Sequence, residues 1–385
     1  MATETDSLPR IKLEDLFLTI REFEKDPAST LERLRCRICV NRKQKLSGDL
    51  YWSTARDNAI ELQRLGLVEA GSFPKDKKAY ELMKEKRLRI TPAGNDVIAL
   101  FRSDRSAAYD GLFKAMYAIH PYLRSFVKTI TRQHLIAPVI TSLKDHVSSG
   151  YASAEQLSDD VAKGKFDTDS LLSLTESRIQ RPLTATEKNT ISAALRILVE
   201  ESAYSAVSEE PIDFSKKFLL KLNDIVMPNI FRDMDLAFDY RTHRTLWGFG
   251  QEWKLWQSTS AHPDYDGRLV HRTATIRLTT EGASVESLIY DSGLKKTAEN
   301  FLPKLFQAYQ KVKNTYVTAW SLRAVFCVDN LCQDSVFDRL MEEHYTGSEE
   351  YDLQLEIQRQ KGQYDRPLRL GNRNIGLVRV VKRQS

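Results

Sequence analysis

The sequence predicts a mainly α protein with a small β component, an α+β chain of several domains. Three observations lead there. Apolar residues recur at spacings of three and four through many segments of the 385-residue chain. Short alternating runs bounded by glycine or proline are few. The length is that of roughly two to four domains, and 42% apolar residues suffice for ordinary globular cores. Charge is high but mixed, and a net excess of +5 is too small to mark a nucleic-acid binder, so the placing of the basic residues matters more than their number. Four cysteines do not make a disulfide scaffold in a chain this long, and reduced cytoplasmic thiols are expected. The start, "MATETDSLPR", has no apolar stretch behind a basic one, and no run approaches the roughly 18–20 apolar residues that cross a bilayer. The expectation is a soluble cytoplasmic protein without a membrane partner.

Taken in order, residues 11–24 place Ile11, Phe17 and Leu18 at helical spacing. Residues 28–41 predict a second helix, with Ser29 or Thr30 as cap and Leu31, Leu34 and Ile38 on one face. Residues 53–65 predict a third, begun by Ser53-Thr54 and stopped by Gly66. "LVEA" then reads as a short strand and "LRIT" at 88–91 as its partner, with "GSFPKDKKAYELMKEKR" between them. "TPAGNDVIALF" resumes a helix, with Thr91 as cap and Pro92 at the first position, where a missing N–H costs nothing.

Residues 106–205 read as mostly helical. In "LTATEKNTISAALRILVEE", Thr184 and Glu187 form a capping box, followed by Ile191, Ala194, Leu195, Leu198 and Val199 at spacings of three and four. "SEEPIDF" at 208–214 marks a boundary, residues 268–280 alternate like a strand that 285–290 would pair, and a helix is expected near 297–313. The predicted organisation is an N-terminal domain over 1–105, a helical region over 106–207, an α+β segment over 208–312 and a C-terminal module over 313–385.

Helix, helix, strand, basic connector, strand, helix is the order of a winged helix-turn-helix. A helix that enters the major groove is short, apolar inside and polar outside. In 53–65, Ala59 and Leu62 would face the core while Ser53, Thr54, Arg56, Asn58 and Gln63 stay available to DNA. A hairpin that reaches phosphates favours cations at its tip, where Lys75, Lys77, Lys78, Lys84, Lys86 and Arg87 gather. The stretches "LQRLGLVE" and "LRITPAG" resemble the winged helices of bacterial transcription regulators over about residues 28–103. There a leucine-glycine-leucine exit and a threonine-x-glycine start flank the wing. The resemblance implies double-stranded DNA as partner; a winged helix used purely for protein contacts is the alternative.

The C-terminus shows a weaker likeness to the same order. "TAWSLRAVFCVDN" and "CQDSVFDRLMEEHY" read as two tightly joined helices, and "YDLQLEIQ" and "NIGLVRVVKR" as two strands. Arg359, Lys361, Arg366, Arg369, Arg373, Arg379, Lys382 and Arg383 are opposed there by Asp365 alone. Asp334, Asp338, Glu342 and Glu343 make the preceding helix a poor groove reader, so any DNA contact would come from Arg366, Arg369 and Arg373 around the strands. A solvated basic tail is the plainer reading.

Three constellations bear on chemistry. His262, Asp264, Asp266 and His271 in "HPDYDGRLVHR" are a metal candidate whose bound water would attack a phosphodiester, although Pro263 and Gly267 equally suit a surface turn. Cys36/Cys39 and Cys327/Cys332 are pairs, but "RCRIC" lies in a helical pattern rather than on a zinc knuckle. Trp247, Trp253 and Trp256 beside Arg241 and Arg244 would stack on unpaired bases or form a domain core. No Walker A, G-x-S-x-G or G-x-G-x-x-G stretch occurs. The expectation is a non-enzymatic DNA-binding protein with neither metal nor cofactor. It would act as a regulator or as the DNA-engaging subunit of a prokaryotic complex for defence or genome maintenance, as a homo-oligomer or with a protein partner. The alternatives are a metal-dependent nuclease and a protein adaptor.

Overall fold

The computed structural model describes residues 8–9, 11–24, 26–43, 51–69, 87–137, 169, 172–173, 176, 182–185, 188–189, 192, 240–260, 262–264, 268–278, 285–288, 298–357 and 368–383. Helices dominate and the strands are short, so the protein is a mainly helical α+β chain. It divides into two compact units. The first comprises residues 1–134, 241–258 and 271–385, and the second 135–240 and 259–270.

The first unit opens with helix α1 (Leu13–Ile20), which buries Leu13, Leu16, Phe17 and Ile20 and runs into a 3-10 turn at Arg21–Glu24. Residues 28–30 are not the first turn of a helix, as the sequence predicts, but strand β1 (Ala28–Thr30). The reason is the cap. Thr30 accepts from the Arg33 N–H only while its own backbone is extended, and that lets 28–30 pair with a later strand. Helix α2 (Leu31–Asn41) follows and buries Leu31, Leu34 and Ile38, as its periodicity predicts.

Helix α3 (Trp52–Arg64) begins earlier than expected, and Ser53-Thr54 do not cap it. Tyr51 precedes it in the left-handed region (φ 63°), without a side-chain cap. The Trp52 indole is buried beneath the Arg35 guanidinium, 4.3 Å from its centroid, which draws the start of the helix back to that residue. Gly66, with φ +70°, ends it. Strands β2 (Val68–Glu69) and β3 (Arg87–Ile90) pair antiparallel, and β3 also takes β1, giving the order β1-β3-β2. Helix α4 (Pro92–Ser103) starts with Thr91 as cap and proline at its head. Helices α5 (Arg105–Ile119) and α6 (Pro121–Arg132) complete this module.

Strands β7 (Ile276–Leu278) and β8 (Val285–Leu288) pair antiparallel, and the other end of the chain then largely follows the order of the N-terminal module. Helix α8 (Phe301–Val312), strand β9 (Val317–Thr318), helices α9 (Ala319–Asn330) and α10 (Asp334–His344), and strands β10 (Tyr351–Ile357), β11 (Leu368–Leu370) and β12 (Arg373–Lys382) follow one another. Strand β12 pairs β10 along one edge, and β9 and β11 along the other. Helix, strand, helix, helix, strand, strand, with the last strand between the first two, is the order of the first module; the second adds β11 ahead of its central strand β12. Phe301, Leu305, Leu322, Phe326, Phe337, Leu340 and Val378 form the second core.

Helix α7 (Tyr240–Trp253) and the first residues of strand β5 (Trp256–Ser260) serve both modules. Trp253 and Trp256 are fully buried, with Phe113 edge-on to Trp253 at 4.9 Å and Phe126 edge-on to Trp256 at 5.3 Å. The tryptophan cluster is therefore a core. Glu252 Oε2 accepts from the Leu13 N–H at 2.6 Å, capping α1 where Lys12 cannot. Gln257 donates to Asp334 Oδ1 at 2.6 Å and accepts from the Asp334 N–H at 2.9 Å, capping α10.

In the second unit, strand β4 (Leu135–Ala137) pairs antiparallel with residues 268–270 of strand β6 (Arg268–Arg272). The Thr184–Glu187 capping box lies outside the described residues, because only Thr184 is among them. No helix among the described residues is long and apolar enough to cross a membrane.

Candidate nucleic-acid interface

On α3, Ala55, Ala59 and Leu62 face inward, as expected. Asn58 does too, and this corrects its placing among the DNA contacts: it is fully buried, and its amide donates to Thr54 O at 3.0 Å. It falls one turn after Ala55, on the same stripe of the helix. Ser53 and Gln63 are exposed, and Thr54 and Arg56 are half-buried. The Arg56 fork is not free: Nε and Nη2 both donate to Asp57 Oδ1, at 3.2 and 2.9 Å. Its planar face and remaining donors are what a ligand would meet.

Sequence reasoning missed two exposed cations beside these. Arg64 closes α3, and Arg89 shares the outer face of β3 with Arg87 while Leu88 points into the core. Strand alternation over "RLRI" was the signal, since Leu88 on the inner face puts both arginines outside. Lys75, Lys77, Lys78, Lys84 and Lys86 lie outside the described residues. Other arginines of the module are committed to structure. Arg42 is held by Asp15 and lies 4.7 Å from the Tyr51 ring, and Arg35 is paired with Glu32 under 3 Å.

At the C-terminal end, Arg369 and Arg373 are exposed on the β11–β12 hairpin, whose tight turn uses Gly371 at φ +56°. Arg366 lies outside the described residues. Two acids of α10 are engaged within the fold, Asp334 with Gln257 and Asp338 with buried Arg323 at 2.8 Å, while Glu342 is exposed and Glu343 pairs with Arg339 at 3.6 Å on the surface.

The metal candidate is described only in part. His262 is buried and its Nδ1 accepts the Asp264 N–H at 3.2 Å, the bond of a local turn. His271 is buried, and Asp266 lies outside the described residues. Among the described residues no group of three or more His, Cys, Asp or Glu is placed to hold a metal. The four cysteines are free thiols. Burial, with the Cys332 thiol beside it, pushes Cys327 well up, and burial next to Glu32 raises Cys36, so both thiols are protonated at neutral pH.

No family model matches the chain, and no curated protein or solved structure matches it.

Proposed function

We propose that the N-terminal module is a winged helix-turn-helix that binds double-stranded DNA, with α3 in the major groove and the lysine-rich connector between β2 and β3 on the phosphate backbone. The observation that carries this reading is the β1-β3-β2 sheet directly behind a short helix with an apolar inner and a polar outer face. Ser53, Thr54, Arg56, Gln63 and Arg64 form the reading surface. Lys75, Lys77, Lys78, Lys86, Arg87 and Arg89 supply charge to the backbone.

The similar element order supports reading the C-terminal module as a second winged helix. Its α10 is unsuited to a groove, because its N-terminus is closed by Gln257 and it exposes the acidic Glu342 and Glu343. DNA contact there runs through Arg366, Arg369 and Arg373. The protein acts without catalysis in the cytoplasm, as a regulator or as the DNA-engaging subunit of a larger prokaryotic assembly in defence or genome maintenance. It does so as a homo-oligomer or with a protein partner.

A salt titration tests this. Changing Lys75, Lys77 and Lys78 together to Ala is expected to weaken binding alike on all duplexes. It should also flatten the slope of log K against log salt by about two to three. An unchanged slope removes the connector from the interface, and no binding of any duplex at low salt favours the adaptor reading.

A further inference from the structure

The inner face of α3 carries a buried ionisable group that the proposed DNA contacts do not use. Glu61 is followed by Leu62 and, like it, points inward. Its Oε1 lies 2.6 Å from His120 Nε2, with side-chain exposures of 0% and 2%, in a contact that joins residues 59 apart. His120 forms the elbow between α5 and α6. Its N–H closes α5 on Met116 O and its carbonyl accepts from the Arg124 N–H. Glu61 Oε2 has no hydrogen-bond partner among the described residues, and the Arg64 guanidinium stands 3.9 Å away from it. With the carboxylate as acceptor, Nε2 carries the proton.

A pair of this kind is an expensive way to fill a core. Desolvating a carboxylate and an imidazole costs more than burying a leucine, and apolar replacements of similar volume are often neutral or stabilising. The neighbouring inward residues, Trp52, Ala55, Ala59 and Leu62, provide ordinary packing. Apolar contacts of that sort tolerate small rotations and slides of a helix. A single short, directional bond does not. One residue of slip rotates an α-helix by about 100°, and a fraction of that would swing Arg56 and Gln63 away from a base edge.

We propose that the Glu61–His120 bond is a positioning pair. It fixes the rotation of α3 on the module and so decides which of its exposed side chains face DNA. Arg64, beside Glu61 on the same helix, carries that setting to the surface. The proposal rests on the DNA reading given above.

The test uses the full chain, a duplex selected in vitro for tight binding to wild type, and a scrambled duplex at the same salt. In the Glu61→Leu/His120→Leu variant, thermal stability should hold or rise and binding to scrambled DNA should stay as in wild type. Its preference for the selected duplex should fall about fivefold or more. Glu61→Gln, whose amide oxygen accepts the same Nε2–H, should restore that preference to within about twofold of wild type. A folded leucine pair with wild-type preference overturns the proposal. Glu61→Met/His120→Phe stands in if the leucine pair does not fold, and failure of both means the pair serves stability, which also overturns it. A wild type that binds no duplex removes the DNA reading itself. One that binds DNA with no sequence preference leaves that reading standing and removes only this one.

Discussion

Arg56 and Glu252 carry the most direct consequences of single side chains. Arg56 is held flat by Asp57 on the first turns of α3, so its guanidinium is pre-oriented and loses little entropy on meeting a guanine edge. Arg56→Ala should cost about 1–3 kcal/mol on a preferred duplex and little on random DNA, with the melting temperature nearly unchanged. Equal losses on every sequence would make it a phosphate contact instead. Glu252 caps α1 from the far side of the sequence, but burial raises its carboxyl above the ordinary value of 4.5, outweighing the backbone N–H groups of Leu13 and Glu14 that favour the anion. A raised folded value means Glu252 contributes most below about pH 4.5, and that contribution is lost as pH rises through the folded value. In Glu252→Gln an amide oxygen still accepts the Leu13 N–H without the cost of a buried charge. The variant should gain on wild type as pH rises from about 5 to about 8 in chemical denaturation. A growing deficit over that range would show the anion to be the better cap.

At the scale of elements, the junction of α3, the β2–β3 pair and α4 turns on two residues. Thr91 Oγ1 accepts from the Gly94 N–H at 3.1 Å and donates to Gly66 O at 2.7 Å, tying the start of one helix to the end of another. A side-chain carbon on Gly94 would lie 2.3 Å from the Leu67 carbonyl oxygen, a backbone atom that cannot step aside cheaply. Thr91→Ala should therefore cost about 0.5–2 kcal/mol in urea unfolding, the usual loss of a cap. Gly94→Ala should cost more, because the strand or the helix must move. The reverse ranking would mean that α4 is loosely seated. The role of Thr91 was legible, since a threonine before a proline and a helical pattern is a local signal. The need for glycine three residues on was not, because the atom that excludes a side chain belongs to the preceding hairpin.

Across the first unit, the segment from Gly250 to Gln257 packs its tryptophans on the N-terminal module and reaches the C-terminal one through polar bonds. Gln257 grips Asp334, and Gln333 Nε2 reaches Gly250 O at 3.5 Å. Gln257→Ala leaves the first N–H of α10 and the Asp334 carboxylate without these partners, a loss of about 1–3 kcal/mol. Scanning calorimetry should show the C-terminal module melting earlier, with the single transition broadening or splitting. A uniform small shift of one sharp transition would mean that these bonds do not couple the modules.

Local patterning along the chain suffices for the fold class and most of the helices. The Thr30 and Thr91 caps, Gly66 as a stop and the β2–β3 pair all rest on interactions between residues close along the chain, which periodicity and capping record directly. Packing between distant segments sets the rest. Strand β1 exists because β3 is there to pair it, and α3 starts at Trp52 because Arg35 covers the indole. Asn58 lies inside because the core side of α3 extends further round the helix than Ala59 and Leu62 suggest. The partners of Glu61, Asp334 and Leu13 stand 59, 77 and 239 residues away. A pattern within one segment records that a side chain is polar. Which distant group will satisfy it follows only once the chain has folded back on itself.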